Sequence, residues 1–266
     1  MAKLIKVIDV TKCTACRGCQ VACKNWNQNP AVIEPFTGSY QTHKDTNAET
    51  YTIVKFNEYV DPAKGVRWLF RKHQCMHCDN PACMEACPRQ AYSKTEWGAT
   101  LHDINRCIGC QYCHYACPWS VPKYLKREDV VTKCTLCANR VEAGLKPACV
   151  QTCPSGALQF GDQGELMAYA QERVSFLRNN GFPEATLYGV NEMGGCNVVY
   201  VLAYSPDKYG LPVNPKVSGQ VSFWQNIVQP YAGWLIPLAL GASVVSFFTT
   251  RLIAASERAP EEGGNE

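Results

Sequence analysis

Sixteen of the seventeen cysteines in this 266-residue chain fall into four groups of four. The groups are Cys13, Cys16, Cys19 and Cys23; Cys75, Cys78, Cys83 and Cys87; Cys107, Cys110, Cys113 and Cys117; and Cys134, Cys137, Cys149 and Cys153. The first and third groups read C-x2-C-x2-C-x3-C, whereas the second has a four-residue middle gap and the fourth an eleven-residue middle gap. So many closely spaced thiolates predict a fold organised around whatever those thiolates bind.

The spacing of these cysteines suits cubane [4Fe–4S] clusters, which need four soft, anionic ligands on a compact core. Two residues between cysteines let successive thiolates curl around one cluster, and a fourth cysteine three residues further on points towards a neighbouring cluster. The third group is followed at once by Pro118, which completes the bacterial ferredoxin signature and turns the chain back. The sixteen cysteines therefore predict four [4Fe–4S] clusters, and such a chain is most simply a path for electrons.

Three other interpretations of the cysteines stay open at this point. A disulfide scaffold is disfavoured because cysteine makes up only about 6% of a long chain. Zinc is disfavoured because it usually takes two separated C-x2-C pairs, whereas two groups here place four cysteines within eleven residues. The third interpretation gives the clusters a purely structural role, which hardly explains four of them. The remaining Cys196 lies in a β-like stretch and is predicted to be a small buried hydrophobic residue.

The four groups form an internal repeat that predicts two ferredoxin-like modules. Groups two and three are close in sequence and are expected to form one module, around which groups one and four form the other. If each fourth cysteine crosses to the neighbouring cluster, four ligand sets follow. Set one is Cys13, Cys16, Cys19 and Cys153; set two is Cys134, Cys137, Cys149 and Cys23; set three is Cys75, Cys78, Cys83 and Cys117; set four is Cys107, Cys110, Cys113 and Cys87. This pairing is a hypothesis.

The expected fold class is α+β, with two interleaved ferredoxin-like [4Fe–4S] modules followed by a small appendage and one transmembrane helix. The predicted domains are the four-cluster domain at 1–161, a small α/β extension at 162–217, the membrane helix with its flanks at 218–254, and a polar tail at 255–266. Alternation and turn chemistry predict strands at 3–10, 51–56, 66–70 and 157–160. Within the extension, periodicity predicts a helix at 165–179 and two strands within 185–204.

The C-terminal region carries no charged residue from Val217 to Thr250. Its stretch 231–250 is mostly apolar, and twenty helical residues reach about 30 Å, the thickness of a bilayer's hydrocarbon core. Trp224, Tyr231 and Trp234 stand at its leading end, as an interfacial aromatic belt would. A single membrane-spanning helix is therefore predicted, and a buried helix of a soluble protein is the alternative.

The orientation of this helix is predicted from the flanking positive charges. Arg251 and Arg258 follow the apolar stretch, whereas Lys216 is the nearest cation before it. The positive-inside rule then favours a cytoplasmic C-terminus and a cluster domain on the periplasmic side. No N-terminal signal peptide is predicted. Export of the folded chain with a partner that carries the signal reconciles the two expectations.

Other residue types exclude several function classes. The net charge of +3 gives no indication of nucleic-acid binding, and no nucleophile–base constellation or phosphate loop predicts catalytic residues. His73, His77 and His114 lie in or beside motifs that already have four thiolates, so packing or hydrogen bonding is expected of them. Basic residues near the cysteines are candidates for tuning reduction potentials. They are Lys12, Arg17, Lys24, Arg71, Lys72, Arg89, Arg106, Lys133 and Arg140.

The cysteine motifs resemble those of the four-cluster iron–sulfur subunits of the molybdopterin oxidoreductase family. The resemblance is closer to the β subunit of membrane-bound respiratory formate dehydrogenases, because of the single C-terminal apolar stretch. It covers residues 3–161 strongly and 162–217 weakly. The matching stretches are Cys13 to Asn27, Cys75 to Pro88, Cys107 to Pro118, and Lys133 through Gly156.

This resemblance implies a heteromeric complex in the cytoplasmic membrane. A molybdenum- or tungsten-pterin catalytic subunit would oxidise formate, this chain would carry the electrons, and a cytochrome b membrane subunit would pass them to quinone. The same role for another molybdoenzyme or a hydrogenase is an alternative. A free-standing membrane-bound ferredoxin-like carrier, or a structural anchoring subunit, is a further one.

Overall fold

Short strands and helices alternate with the cysteine motifs along the chain. The computed structural model describes residues 3–36, 38, 40, 43–62, 64–217 and 219–256. The strands are β1 (Leu4–Asp9), β2 (Ile53–Asp61), β3 (Gly65–His73), β4 (Tyr92–Lys94), β5 (Thr100–His102), β6 (Lys123–Leu125), β7 (Val130–Thr132), β8 (Leu158–Asp162), β9 (Thr186–Tyr188) and β10 (Val198–Leu202). The helices are α1 (Gly18–Trp26), α2 (Ala82–Glu85), α3 (Tyr112–Ala116), α4 (Ala138–Glu142), α5 (Ala148–Gln151), α6 (Gln163–Asn179), α7 (Gly219–Phe223) and α8 (Gln229–Ser256).

The largest sheet has four strands in the order β8-β1-β10-β9. β1 pairs antiparallel with β8, with Val7 opposite Gln159, and parallel with β10, with Val7 opposite Val199. The strands predicted at 3–10 and 157–160 are thus neighbours in one sheet. β1, at the centre of the sheet, leads directly into the first cysteine motif.

The two faces of β1 have different neighbours because successive side chains of a strand point to opposite faces. Ile5 and Val7 pack under α6 against Ala170 and Val174. Ile8 belongs instead to the larger core that contains cysteines of the motifs. Asp162 is the N-cap of α6, and its carboxylate accepts hydrogen bonds from the backbone N–H groups of Gly164 and Glu165. The helix therefore covers one face of the sheet and leaves the other to the cysteine motifs.

The segment predicted as an extension at 162–217 contributes structure to the cluster domain. Its helix and two strands occur as α6, β9 and β10, in agreement with the sequence patterns. β10 lies between β1 and β9, and its five residues are buried. Residues Met1–Val221 accordingly form one compact unit.

Three β-hairpins lie between consecutive cysteine groups. β2 and β3 pair antiparallel over nine residue pairs, from Ile53 opposite His73 to Asp61 opposite Gly65, as the predicted strands at 51–56 and 66–70 require. Ala63, in the turn between them, lies outside the described residues. The shorter hairpins β4–β5 and β6–β7 flank the third cysteine group.

The motif helices pack in two pairs. α1 of the first cysteine group contacts α5 of the fourth, and α2 of the second group contacts α3 of the third. Each pair joins groups that the crossover hypothesis places in one module.

Residues Ser222–Glu266 form a second unit. Within it, Gly233–Ala254 is long and apolar enough to cross a membrane, with a mean hydropathy of 1.6 and exposed side chains. This candidate span overlaps the predicted stretch 231–250 and includes Pro237. Of the predicted polar tail at 255–266, residues 257–266, which include Arg258, lie outside the described residues.

Asn197 joins three segments around β1. Its side-chain amide donates hydrogen bonds to the carbonyls of Leu4 (2.7 Å) and Trp97 (3.1 Å), and its backbone N–H donates to the carbonyl of His77 (3.0 Å). Gly98 lies against this amide, so a Cβ added there would be 2.0 Å from the Asn197 nitrogen. The loop at Gly98 is therefore closed against the sheet without room for a methyl group.

Substituting Gly98→Ala is expected to destabilise the fold more than Gly144→Ala. Both glycines have positive φ, so each substitution costs about 1 kcal/mol of backbone strain, but only Gly98 adds overpacking of roughly 1–3 kcal/mol. The measurement is the thermal unfolding midpoint by circular dichroism. Equal shifts for the two variants would contradict the role given to Asn197.

Candidate metal centres

The same hydrogen bond recurs at the first cysteine of all four motifs. In each C-x2-C pair, the backbone N–H two residues on donates to that cysteine's sulfur. The donors are Ala15, His77, Gly109 and Leu136, and the acceptors are Cys13, Cys75, Cys107 and Cys134. All four donors have left-handed backbone conformations, with φ of +55°, +50°, +65° and +57°.

This conformation is the means by which the chain turns an N–H towards sulfur. Three of the four donors are not glycine, and a non-glycine residue in this region costs of order 1 kcal/mol. At Gly109 a side chain is also sterically excluded, because a Cβ would lie 2.5 Å from the Asp129 carbonyl oxygen. The motifs thus hold backbone strain where the donor is needed to stabilise negative charge on sulfur.

The structure brings the four cysteines of set one to a single cavity. Cys13, Cys16, Cys19 and Cys153 line it together with Lys72. Burial raises the pKa of Cys19 to about 11, and the nearby Lys72 partly offsets this. Cys16 is exposed, so this cavity opens to the surface.

The cysteines of set two are all buried. Burial raises the pKa of Cys23, and the neighbouring thiolates of Cys134, Cys149 and Cys137 raise it further. Cys23 therefore lies among cysteines of the fourth group, although it belongs to the first in sequence. The pKa of Cys149 is lowered: burial opposes this, but the charges of Lys6 and Lys72 outweigh it.

The cysteines of set three interact in the same manner. Burial raises the pKa of Cys117 to about 12, and the thiolates of Cys75 and Cys78 also act to raise it. Burial likewise raises the pKa of Cys83, with Cys117 among the thiolates that add to it. The last cysteine of group three thus lies beside the cysteines of group two.

The cysteines of set four line another cavity, which contains Cys87, Cys107, Cys110 and Cys113. Tyr92 also lines it. Burial and the neighbouring Cys113 thiolate raise the pKa of its phenol, so the hydroxyl remains a donor at neutral pH. Cys110 is exposed, which makes this the second set with an opening to the surface.

The cysteine geometry bears on the alternative metal and disulfide interpretations. All seventeen cysteines lie within the described residues and are free thiols. Among the described residues, no three His, Cys, Asp or Glu side chains lie close enough to hold a single metal ion. A tetrahedral zinc site needs such proximity, whereas a core of several irons holds its thiolates further apart. The four sets therefore fit clusters better than single ions.

A buried donor beside set three also fits a cluster. The Nδ1 atom of His77 accepts a hydrogen bond from the Thr100 N–H at 3.1 Å, which leaves the proton on Nε2. Burial, and then the charge of Lys133, lower the pKa of His77 well below its usual range, so the ring is neutral. Its buried Nε2 has no hydrogen-bond partner within the described part of the chain. A cluster held by the neighbouring Cys75 and Cys78 would bring sulfur acceptors close to this residue.

Three lysines are buried among the cysteines: Lys6, Lys72 and Lys133. Lys72 and Lys133 are among the basic residues that the sequence singles out, but Lys6 is missed by sequence reasoning. The signal available was a lysine in the middle of an otherwise apolar strand, at a position whose neighbours are buried on both sides. Lysine is almost never fully buried unless it has an anionic partner.

The other candidate cations and histidines mostly have other partners. Arg71 donates to the Tyr209 carbonyl at 2.9 Å, Lys12 to the Tyr169 hydroxyl at 2.8 Å, and Arg140 stacks over Trp26. Nδ1 of His114 donates to the Pro122 carbonyl at 2.7 Å. Arg17 and Arg89 line the cavities of sets one and four, whereas Lys72 and Lys133 are the candidate lysines that are buried.

Cys196 is buried, as the sequence predicts, but it also has a specific neighbour. It forms an isolated β-bridge with Cys78, and its side-chain hydrogen bond is the main factor that raises the pKa of Cys78. Its own thiol donates to the Glu192 carbonyl at 3.5 Å. Cys196 is therefore a neighbour of a motif cysteine that sequence spacing does not indicate.

Comparison with known families finds the same cofactor class. Two models, each described as a 4Fe-4S dicluster domain, match residues 12–91 and 66–163. Together they span all four cysteine groups.

Comparison with individual proteins finds similar chains of known activity. The chain is 38% identical to the formate dehydrogenase-O iron-sulfur subunit of Escherichia coli over 99% of its own length and 87% of the relative. It is 40% identical to the nitrate-inducible formate dehydrogenase iron-sulfur subunit of the same organism, over 87% of this chain and 80% of the relative. Formate dehydrogenase 2 subunit beta (cytochrome c-553) of Nitratidesulfovibrio vulgaris is 36% identical over 76% of this chain and 94% of that protein.

Proposed function

Because the chain belongs to the family of formate dehydrogenase iron–sulfur subunits, we propose that it carries electrons from formate oxidation through four [4Fe–4S] clusters to the membrane. The donor would be a molybdenum- or tungsten-pterin catalytic subunit, and the acceptor a cytochrome b subunit that reduces quinone. The observation that carries this proposal is the convergence of the sixteen motif cysteines into groups of four thiols.

The proposed ligand sets are the four crossover sets defined from the sequence. The packing of α1 on α5 and of α2 on α3 supports them. The cavities that contain Cys153 with group one, and Cys87 with group three, support sets one and four. The electrostatic neighbours of Cys23 and Cys117 support sets two and three.

The contacts between sets support a serial order. Lys72 interacts with Cys19 of set one and with Cys149 of set two. Cys134 of set two acts on Cys75 of set three. Tyr92 interacts with Cys113 of set four and Cys83 of set three. The proposed path therefore runs through sets one, two, three and four.

Residues of the chain itself would bind each cluster and stabilise its negative charge. A bound [4Fe–4S] cluster takes up and releases one electron at a time. The cysteine thiolates would hold the irons, the left-handed N–H donors would stabilise charge on sulfur, and the surrounding apolar core would exclude water from sets two and three. Exposed Cys16 and Cys110 leave sets one and four accessible to partners.

The C-terminal helix is proposed to anchor the chain beside the cytochrome b subunit. The candidate span Gly233–Ala254 supports a membrane anchor by length and composition. The chain has no histidine after His114, so a haem ligated by imidazole in the membrane would have to be held by a partner. Arg251 and Arg258 after the span favour a cytoplasmic C-terminus and a periplasmic cluster domain.

The crossover sets predict which cysteine substitutions act on the same cluster. Cys153→Ser is expected to alter the electron paramagnetic resonance signal that Cys16→Ser alters, whereas Cys23→Ser should alter the signal that Cys134→Ser alters. Cys196→Ser is the control and should retain all irons. The measurement is a low-temperature spectrum of each dithionite-reduced protein. Grouping of Cys153→Ser with Cys134→Ser would overturn the crossover.

The proposed complex predicts formate:quinone reduction by the native assembly purified from membranes. A pterin subunit and a cytochrome b should co-purify in stoichiometric amount, with roughly sixteen irons per copy of this chain. Eight or fewer irons would refute the cluster assignment. A different pterin enzyme or a hydrogenase as the partner would refute formate as the substrate, and a stable, reducible monomer would favour a free-standing carrier.

The proposed orientation predicts the protease sensitivity of the cluster domain. In intact cells the domain should survive added protease, and in spheroplasts it should be cleaved. A cytoplasmic protein is the control, because it should survive in both preparations. Protection of the cluster domain in intact spheroplasts would place it in the cytoplasm.

A further inference from the structure

Lys6 and Lys72 form a buried pair of cations that share one acceptor. Nζ of Lys6 lies 3.4 Å from Oε1 of Gln74, and Nζ of Lys72 donates to the same oxygen. Lys72 also donates to the Thr52 hydroxyl at 2.7 Å. No carboxylate of the described residues forms an ion pair with either lysine. The pair therefore has no carboxylate partner of the kind that buried lysines normally have.

The anions that face this pair are motif thiolates. Nζ of Lys6 donates to Sγ of Cys149, in set two, at 3.2 Å. Lys72 lines the cavity of set one with Cys13 and Cys19. The two ammonium groups and the Gln74 amide thus lie between sets one and two.

Electrostatics agree with this placement. Burial opposes a charge on Lys72, but the thiolates of Cys149 and Cys19, followed by those of set two, outweigh it and raise the pKa of Lys72. The ammonium therefore keeps its proton throughout the neutral range. The positive charge of Lys72 would therefore stay the same when a cluster in set one or set two is reduced.

We propose that Lys72 and Lys6, held together by Gln74, are positioning residues that fix positive charge between sets one and two and thereby raise the reduction potential of the set-two cluster. This inference rests on the proposed function. Each reduction would add one electron to a cluster. A fixed cation in a water-excluded interior favours the reduced state of its neighbour and weakens repulsion between electrons on the two sides.

The chain offers substitutions that separate charge from packing. Lys72→Met removes the charge with a similar volume, and Lys72→Arg keeps it. Gln74→Glu keeps the shape of the amide and adds a negative charge beside both lysines. Lys126→Gln is the control, because Lys126 is an exposed lysine on the same unit.

The experiment is a redox titration of the whole membrane complex with dithionite and mediators, followed by electron paramagnetic resonance. The set-two signal is identified with the Cys134→Ser variant. Lys72→Met is expected to lower the equilibrium constant for reduction of this cluster about tenfold, which is about 59 mV for one electron. Gln74→Glu should shift it in the same direction, whereas Lys72→Arg and Lys126→Gln should leave it within threefold of the unmodified protein.

The proposal is overturned if Lys72→Met retains its irons and its potentials are unchanged, or if Lys72→Arg shifts the potential as far as Lys72→Met. If Lys72→Met cannot be isolated with its clusters, Gln74→Glu decides, and an unchanged potential in that variant refutes the proposal. A complex that shows the expected shifts but does not reduce quinone with formate would refute the proposed function and leave the role of the lysines intact.

Discussion

The structure depends above all on gathering sixteen cysteine sulfurs within one compact unit, Met1–Val221. Thiolates are expensive to bury without compensation. Burial accordingly raises the pKa of Cys19 and of Cys75 to about 11, so these thiols hold their protons more strongly than exposed cysteines do. Iron must displace those protons, which makes cluster binding pH-dependent and couples it to the stability of the fold.

Other residues of the unit Met1–Val221 compensate the negative charge of the cysteine thiolates in two ways. Backbone N–H donors in left-handed conformations approach the first sulfur of each motif, at a cost in local strain. Lys6, Lys72 and Lys133 place positive charge where several thiolates meet. β1 shows how one strand serves both needs, because Ile5 and Val7 hold it under α6 while Lys6 reaches Cys149 on the other face. Packing of the Ile5 and Val7 face under α6 thus fixes the position of Lys6 on the opposite face.

Sequence patterns were sufficient for features that depend on near neighbours. The motif spacing, the hairpin strands, α6 and the apolar C-terminal stretch follow from local periodicity, and the structure has each of them. The role of Lys6 was not predictable in this way, because its partner Cys149 is 143 residues away. The position of β10 between β1 and β9, and the contact of Cys196 with Cys78, were not predicted either, because they also join residues that are far apart in sequence. The apolar residues around Lys6 indicate that it is buried, but only long-range pairing decides which partner it meets.

The distribution of compensation differs between the inner and outer cysteine sets. Sets two and three lie in the core, where Lys6, Lys72 and Lys133 supply the charge that water cannot. Sets one and four each have an exposed cysteine, Cys16 and Cys110, so solvent or a partner protein reaches them. A chain that functioned alone would gain by covering all four sets equally. The uneven arrangement suits the proposed path, in which electrons enter and leave at sets one and four, where a cysteine is exposed.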